Sequence, residues 1–377
     1  MQPIQFIDLK AQQQHIRQKV DAAIQKVLDH GIYIMGPEVK ELETKLSQFC
    51  GAKHTISCSN GTDAIAFALM CKNIKAGDHV IVPSFTFAAT AEVIAWFDAT
   101  PIFVDVDLKT FNMCPAHLET TIQDAKQKGQ NVTGIITVDL FGQPVDYESI
   151  NKIAQKHNLW IIDDAAQGFG GSLKGQKIGT LAELTTTSFF PAKPLGCYGD
   201  GGAIFTDNDE YATLMRSIRV HGQGSDKYDN VRIGMNGRLD TIQAAILLEK
   251  LAIFAEELTK RDQIAQRYTN ALKDCVQTPH LIEGAFSAWA QYTLVLPNRN
   301  EVAASLKEAG IPTFVYYPMP LNLQTAYKHY PTGPNGTPNA EKLAQQVLSL
   351  PMHPYLDEKT QDYIIEKTRA ILLKKAA

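Results

Sequence analysis

LWIIDDAAQGFGGSLKGQKIGTLAELTTTSFFPAKPLGCYGDGGAIF, residues 159–204, holds two short β-prone runs separated by a turn-rich stretch. The first run, LWIID (159–163), leads into the acidic pair Asp163–Asp164, with Gln167 three residues further on. The second, TTSFF (186–190), contains Ser188 and leads to Lys193, set between Pro191 and Pro194. A glycine-rich turn, Gly199-Asp200-Gly201-Gly202, follows. Polar groups gathered where apolar strands end are the pattern of an α/β sheet, whose ligands bind beyond the strands' carboxyl ends.

Working outward, the same alternation continues. Strands are predicted at 54–58, 79–83, 102–106 and 134–139 before the quoted segment, and at 203–206 at its end. Helical patterns lie between them near 62–72, 87–97, 115–127 and 146–157. Strands alternating with helices predict a parallel or mostly parallel sheet wrapped by helices. A long helical pattern over 239–272 then bridges to a smaller α+β unit, dividing the chain into 1–250 and 251–377. The Pro/Gly-rich stretch PTGPNGTP (331–338) predicts an exposed, mobile loop.

The chain has 377 residues, 45% hydrophobic and 20% charged, as expected of a globular protein with a sizeable core. A net charge of -4 without a basic run gives no reason to expect nucleic-acid binding. No apolar stretch approaches the length that crosses a bilayer, and the start MQPIQFIDLKAQQQ lacks the basic-then-apolar pattern of a signal peptide. Six cysteines, at 50, 58, 71, 114, 197 and 275, form no CxxC pair, which suits reduced thiols in a cytoplasm and offers no zinc site.

The polar groups suggest one chemistry. A carboxylate, an amide, a hydroxyl and an amine at strand ends are what pyridoxal phosphate requires: a partner for its ring nitrogen, one for its ring hydroxyl, a donor to its phosphate, and an amine for its aldehyde. Asp164, Gln167, Ser188 and Lys193 can fill those places. Side chains alternate along a strand, so only one of Asp163 and Asp164 can face the ligand, and spacing alone does not choose. The bland alternative is a helix cap at one and a solvated charge at the other. Lys193 between prolines is rigidly held, and desolvation would favour its neutral form; otherwise it is a surface lysine. Ser59-Asn60-Gly61-Thr62 follows a strand and opens a helix, where backbone N–H groups favour an anion and an Asn or Ser cap is the plainer reading. Phe85 and Phe87 are each read as core or as a stacking surface, with core favoured. Asn236 and Arg238 lie in a loop before the long helix, available to phosphate or carboxylate, while Asp240 reads as that helix's cap. His221 reads equally as a ligand contact or a surface side chain.

In order along the chain, GIYIMGPEVKELE, SNGTDA, PSFTFAAT, FGQPVD, DDAAQ, SFFPAKPLGCYGDGGA, RVHGQG, GMNGRLDTIQAAIL, YYPMPL and SLPMHPYL resemble the DegT/DnrJ/EryC1/StrS family of sugar aminotransferases. The resemblance covers nearly the whole chain. It implies an aspartate aminotransferase-type (fold type I) α/β fold, with a seven-stranded mixed sheet in the large domain and a small α+β C-terminal domain. It implies pyridoxal 5'-phosphate as cofactor, with pyridoxamine 5'-phosphate alternating. It matches Lys193 to the cofactor-bonding lysine, Asp164 to the ring-nitrogen partner and Gln167 to the ring-hydroxyl partner. It also matches Phe87 to the stacking aromatic, and Gly61, Thr62 and Ser188 to the phosphate contacts. Asn236 matches a phosphate contact supplied by the other subunit, so the resemblance implies a homodimer with shared sites. His221, Arg238, Tyr316 and Tyr317 fall near the sugar, and Tyr316 stands where a His is expected.

Within the family the chain is most similar to members that take an amino group from L-glutamate to C3 of a UDP-linked 2-acetamido-3-oxo sugar acid, in nucleotide-sugar and O-antigen polysaccharide biosynthesis. The alternatives are amination of a dTDP-linked 3-oxo or 4-oxo 6-deoxy sugar, a 3-dehydratase, which carries His in place of Lys193, and a cofactor-binding regulator without catalysis.

Overall fold

The computed structural model describes residues 3–226 and 228–376. Two helices, α1 (Leu9–His30) and α2 (Pro37–Cys50), precede the sheet. β1 (His54–Cys58), α3 (Gly61–Cys71), β2 (Asp78–Pro83), α4 (Ala89–Ala95), β3 (Thr100–Val104) and α5 (Pro115–Gln127) follow. Next come β4 (Asn131–Val138), α6 (Tyr147–His157), β5 (Trp160–Asp164), the two-residue strands β6 (Ser172–Leu173) and β7 (Gln176–Lys177), β8 (Leu184–Ser188) and β9 (Gly202–Thr206). The seven longer strands of this run form one sheet in the order β1-β9-β8-β5-β4-β2-β3. Its neighbours are parallel except at β9, which runs antiparallel to β1 and β8. The sheet is therefore mixed, and β1, β2, β4, β5 and β8 all end at one edge.

The reason is legible in composition. The central strands are apolar throughout, GIITV in β4 and WII in β5, because helices cover both faces. α3, α4 and α7 (Asp209–Ile218) pack on one face around Phe67, Ile65 and Val82. On the other, α5 and α6 pack around Ile81, Ile135 and Ile150, while α2 and α8 (Thr241–Leu272) pack around Leu42, Phe205 and Leu247. α8 continues past the sheet. Phe254 and Leu258 still belong to the sheet's core, whereas Ile264 to Leu272 join a separate core with Tyr292, Leu306 and Leu350. That second core is built by β11 (Tyr292–Val295), α9 (Arg299–Glu308), β12 (Val347–Leu350) and α11 (Glu358–Ala376), with β11 and β12 paired antiparallel. β10 (Ala285–Phe286) pairs instead with β6, and α10 (Pro338–Gln346) packs in a separate cluster with Phe85, Phe111 and Phe141. No helix among the described residues is long and apolar enough to cross a membrane.

One expectation fails. Residues 331–338 are not a free loop. Phe103 N–H donates to Pro331 O at 2.9 Å, Gly333 N–H donates to Phe103 O at 2.9 Å, and Pro334 O meets the His117 ring at 2.7 Å. β3 is the sheet's edge, and an edge leaves backbone groups unpaired. The segment covers them, which its Pro/Gly content does not reveal.

Candidate active site

The strands that end together carry the predicted residues to one place. α3 begins directly after β1, and Asn60 caps it by accepting Asp63 N–H at 2.8 Å, so the Gly61 and Thr62 N–H groups open the helix without intrahelical partners. Gly61 lies against the end of β8: a Cβ there would sit 2.7 Å from Ser188 Cβ. Gly202, paired with Ser188, has no room either, since a Cβ would meet Asn60 O at 2.5 Å. Two glycines thus bring a helix start and a serine hydroxyl together into a cradle of donors, the arrangement that receives a phosphate.

Asp164 ends β5 and is 6% exposed. Its Oδ2 accepts from Thr90 Oγ1 at 2.8 Å and its Oδ1 from Ala166 N–H at 3.2 Å. Burial raises its pKa, and the Thr90 bond, the nearby Lys193 and Ala166 N–H pull it back. Lys193, half-buried after β8, has its pKa lowered by desolvation and raised by Asp164. A buried carboxylate with an amine close enough to act on it is what a protonated ring nitrogen and an aldehyde require.

Asp163 points to the opposite face, as alternation demands, but it is no solvated charge: it is 0% exposed. Thr137 Oγ1 donates to its Oδ1 at 3.2 Å, and burial raises its pKa to about 7. Beside it Asp139, at the end of β4, is also raised, by burial and then by Asp163.

Gln167 is held at both ends. Its Oε1 accepts from Phe141 N–H at 2.8 Å and its Nε2 donates to the Tyr317 hydroxyl at 3.0 Å. An amide nitrogen has two hydrogens, so one stays free for a ligand. Tyr317 is held neutral by burial. Phe85 and Phe87 part company: Phe85 is 1% exposed and belongs to the core, whereas Phe87 is 56% exposed, 6.4 Å from the Tyr317 ring. Core packing, the favoured reading for both, is wrong for Phe87. Tyr316 stacks on Phe314 at 6.1 Å.

The loop that carries Asn236 and Arg238 is tied to the approach to α3, where Ser59 N–H donates to Gly237 O at 3.2 Å. Asn236 and His221 are exposed, and Arg238 turns its Nε and Nη2 to Asn236 Oδ1 at 3.0 and 2.7 Å. Asp240 occupies the cap position of α8, but its carboxylate makes no capping bond. Thr90 and the Gln167–Tyr317 bond escape sequence reasoning. PSFTFAAT contains Thr90, yet its partner lies 74 residues away.

The profile of the DegT/DnrJ/EryC1/StrS aminotransferase family matches residues 14–369. The UDP-2-acetamido-2-deoxy-3-oxo-D-glucuronate aminotransferase of Pseudomonas aeruginosa is 51% identical over 355 residues, 94% of this chain and 96% of that protein. A DegT DnrJ EryC1 StrS aminotransferase from Brucella abortus superposes with a TM-score of 0.97 at 52% identity, covering 98% of this chain and 99% of that one. The PMP form of Spr1654 from Streptococcus pneumoniae superposes with a TM-score of 0.87 at 27% identity, covering 95% and 97%.

Proposed function

The chain belongs to the DegT/DnrJ/EryC1/StrS aminotransferase family, and from that premise we propose that it moves the amino group of L-glutamate to C3 of a UDP-linked 2-acetamido-3-oxo sugar acid. The observation that carries the substrate is the 51% identity to the Pseudomonas aeruginosa enzyme across nearly both chains. The proposal sets the reaction in nucleotide-sugar synthesis for an O-antigen surface polysaccharide.

The residues at the sheet edge fit pyridoxal phosphate. The Gly61–Ser188 cradle is closed to any added Cβ, and Asp164 is a buried carboxylate whose charge the Lys193 amine favours. When bound, the cofactor supplies an electron sink conjugated to the carbon that gives up or receives the amino group. Asp164 holds the proton on the ring nitrogen, and Thr90 orients Asp164. Gln167 directs its free Nε2 hydrogen at the ring hydroxyl. Phe87 covers the ring face and excludes water. Gly61, Thr62 and Ser188 donate to the phosphate. Lys193 would be the amine that holds the aldehyde, and its neutral form would move the proton at the reacting substrate carbon; its lowered pKa favours that form.

The proposal includes a homodimer. Asn236 of one copy reaches the phosphate held by the other, and Arg238, His221, Tyr316 and Tyr317 line the sugar. Exposed apolar side chains beside Asn236, Val231 at 52% and Ile233 at 86%, support a covered surface there. A sugar carboxylate would take the two-pronged guanidinium of Arg238 from Asn236. The separate core beyond Leu258 supports a large domain near 1–250 and a small one near 251–377. Six free cysteines support a cytoplasmic setting.

Purified protein given glutamate with UDP-2-acetamido-3-oxo-glucuronate is expected to show a higher kcat/KM than with dTDP-linked 3-oxo or 4-oxo 6-deoxy sugars. The reverse order overturns the substrate and leaves the aminotransferase intact.

A further inference from the structure

β1 is an edge strand of the sheet, so the backbone groups on its open side need partners. At Ser57 one ion pair meets both. Ser57 N–H donates to Glu43 Oε1 of α2 at 3.0 Å, the Ser57 hydroxyl donates to the same oxygen at 2.8 Å, and Arg219 Nη1 donates to Ser57 O at 3.1 Å. The same Nη1 is bonded to Glu43 Oε1. Ser57 is 0% exposed, and Arg219, directly after α7, is 5% exposed. Two residues on, main chain takes over: Ser59 N–H donates to Gly237 O at 3.2 Å. Gly237 N–H in turn donates to Arg219 O at 3.1 Å, and Val220 forms an antiparallel bridge with Asn236. Arg219 therefore grips β1 with its side chain and the 236–237 segment with its main chain, and the Ser59–Gly237 bond closes the ring. Gly237 is also pressed against α3, where an added Cβ would lie 2.3 Å from Phe67 Cζ.

We propose that Arg219 and Glu43 are positioning residues, which fix the Asn236 segment against the start of the phosphate cradle. Ser57 and Ser59 lead directly into Asn60, Gly61 and Thr62, and Gly237 lies between Asn236 and Arg238. A shift of the ring moves the helix start and the loop together. Neither an apolar side chain nor a lone carboxylate could serve at Ser57, which presents a donor and an acceptor at once; the pair supplies one partner to each. A buried ion pair adds little stability over apolar packing, and its use is to fix which atoms meet. Arg219 Nε has no partner among the described residues, so the guanidinium is placed for Ser57 and Glu43 rather than for its own full satisfaction. Through Asn236 the same arginine acts on two sites, its own chain's cradle and the partner copy's phosphate. The cradle half rests on the phosphate reading above and the Asn236 half on shared sites; the ring rests on neither.

Amide hydrogen exchange on apoprotein tests the ring without cofactor. In Arg219→Gln the Ser59 and Gly237 amides are expected to exchange about tenfold faster, the scale of one charged hydrogen bond removed from the ring. The amides of β4 and β5 are expected to keep their rates. Uniform acceleration would report lost global stability, and unmoved Ser59 and Gly237 amides would report no grip; either overturns the proposal. Glu43→Asp keeps both charges and withdraws the carboxylate by one methylene, so it carries the same test if Arg219→Gln does not fold. Equilibrium dialysis with pyridoxal phosphate is expected to show about tenfold weaker binding in both variants, and unchanged affinity in both overturns the positioning of the cradle.

Mixed dimers separate positioning from a structural role. A Lys193→Ala chain has no working site, so the one working site of a mixed dimer belongs to the wild-type chain and takes Asn236 from the variant chain. Adding Arg219→Gln to the Lys193→Ala chain leaves the working site's own chain untouched. Cofactor affinity there, read from the visible band that only a site with Lys193 gives, is expected to fall about as far as when Asn236→Ala is added instead. If Asn236→Ala lowers it and Arg219→Gln does not, the positioning of Asn236 is overturned. If Asn236→Ala has no effect either, the shared-site reading fails and takes the Asn236 half with it, while exchange and dialysis decide the ring and the cradle.

Discussion

Lys193 is drawn in two directions. Burial lowers its pKa, and Asp164 raises it. Removing the carboxylate therefore has a signed consequence: in Asp164→Asn apoprotein the Lys193 amine titrates at lower pH than in the wild type, which NMR of ¹³C-methylated lysine would report. In the holoenzyme the same variant leaves the ring nitrogen without its counter-charge, and turnover is expected to fall by about two orders of magnitude, as when a positioned electrostatic group is lost. Asp163→Asn, on the other face, falls far less; the opposite ranking would mean that the wrong aspartate faces the ligand. Lys193→Ala is expected to abolish turnover and the visible band of the bonded cofactor, while equilibrium dialysis still detects binding through the phosphate and ring contacts. The proline frame of Lys193 and the hydroxyl of Ser188 were readable because they lie within one short segment. The choice between Asp163 and Asp164 was not, because alternation separates two faces without saying which is which. Phe85 and Phe87 pose the same problem two residues apart on a bend, where no period applies.

At the scale of elements, strand signals were strong where helices cover both faces and blurred at ends. β1 matches the predicted 54–58, whereas the strand expected over 102–106 is β3, Thr100–Val104. There Val106 leaves the sheet to form an isolated bridge with Met113. α5 matches the predicted 115–127, helped by Pro115 in its first turn. The covering of β3 by 331–338 joins segments more than 220 residues apart, so no local pattern could announce it. The meeting of β1–α3 with the end of β8 depends on Gly61, whose added Cβ would press on Ser188 at 2.7 Å. Gly61→Ala must push the helix start from the strand end, an overpacking cost of about 1–3 kcal/mol. Apoprotein carrying it should keep its far-ultraviolet circular dichroism and bind pyridoxal phosphate at least about tenfold more weakly, since about 1.4 kcal/mol is a factor of ten. Unchanged affinity would separate the cradle from the phosphate.

For the whole molecule, one chain supplies Asp164, Lys193, Gln167 and the cradle, but leaves Asn236 and Arg238 paired with each other on an exposed loop. Ile32, Tyr33 and Ile34 are also exposed, at 50%, 49% and 44%, and Tyr33 O accepts from Thr241 N–H at the start of α8, five residues after Asn236. Apolar surface gathered around polar groups is the composition of an interface. A two-fold axis there would give each copy's Asn236 to the other's site, and subunit exchange can test it. Lys193→Ala and Asn236→Ala proteins are each impaired. In a mixed dimer, one site combines both defects, while the other has its own Lys193 and the partner copy's Asn236. Random exchange makes half the dimers mixed, each with one intact site in two, so activity should rise toward about one quarter of wild type. Activity equal to the average of the two parents would mean that Asn236 serves its own chain's site.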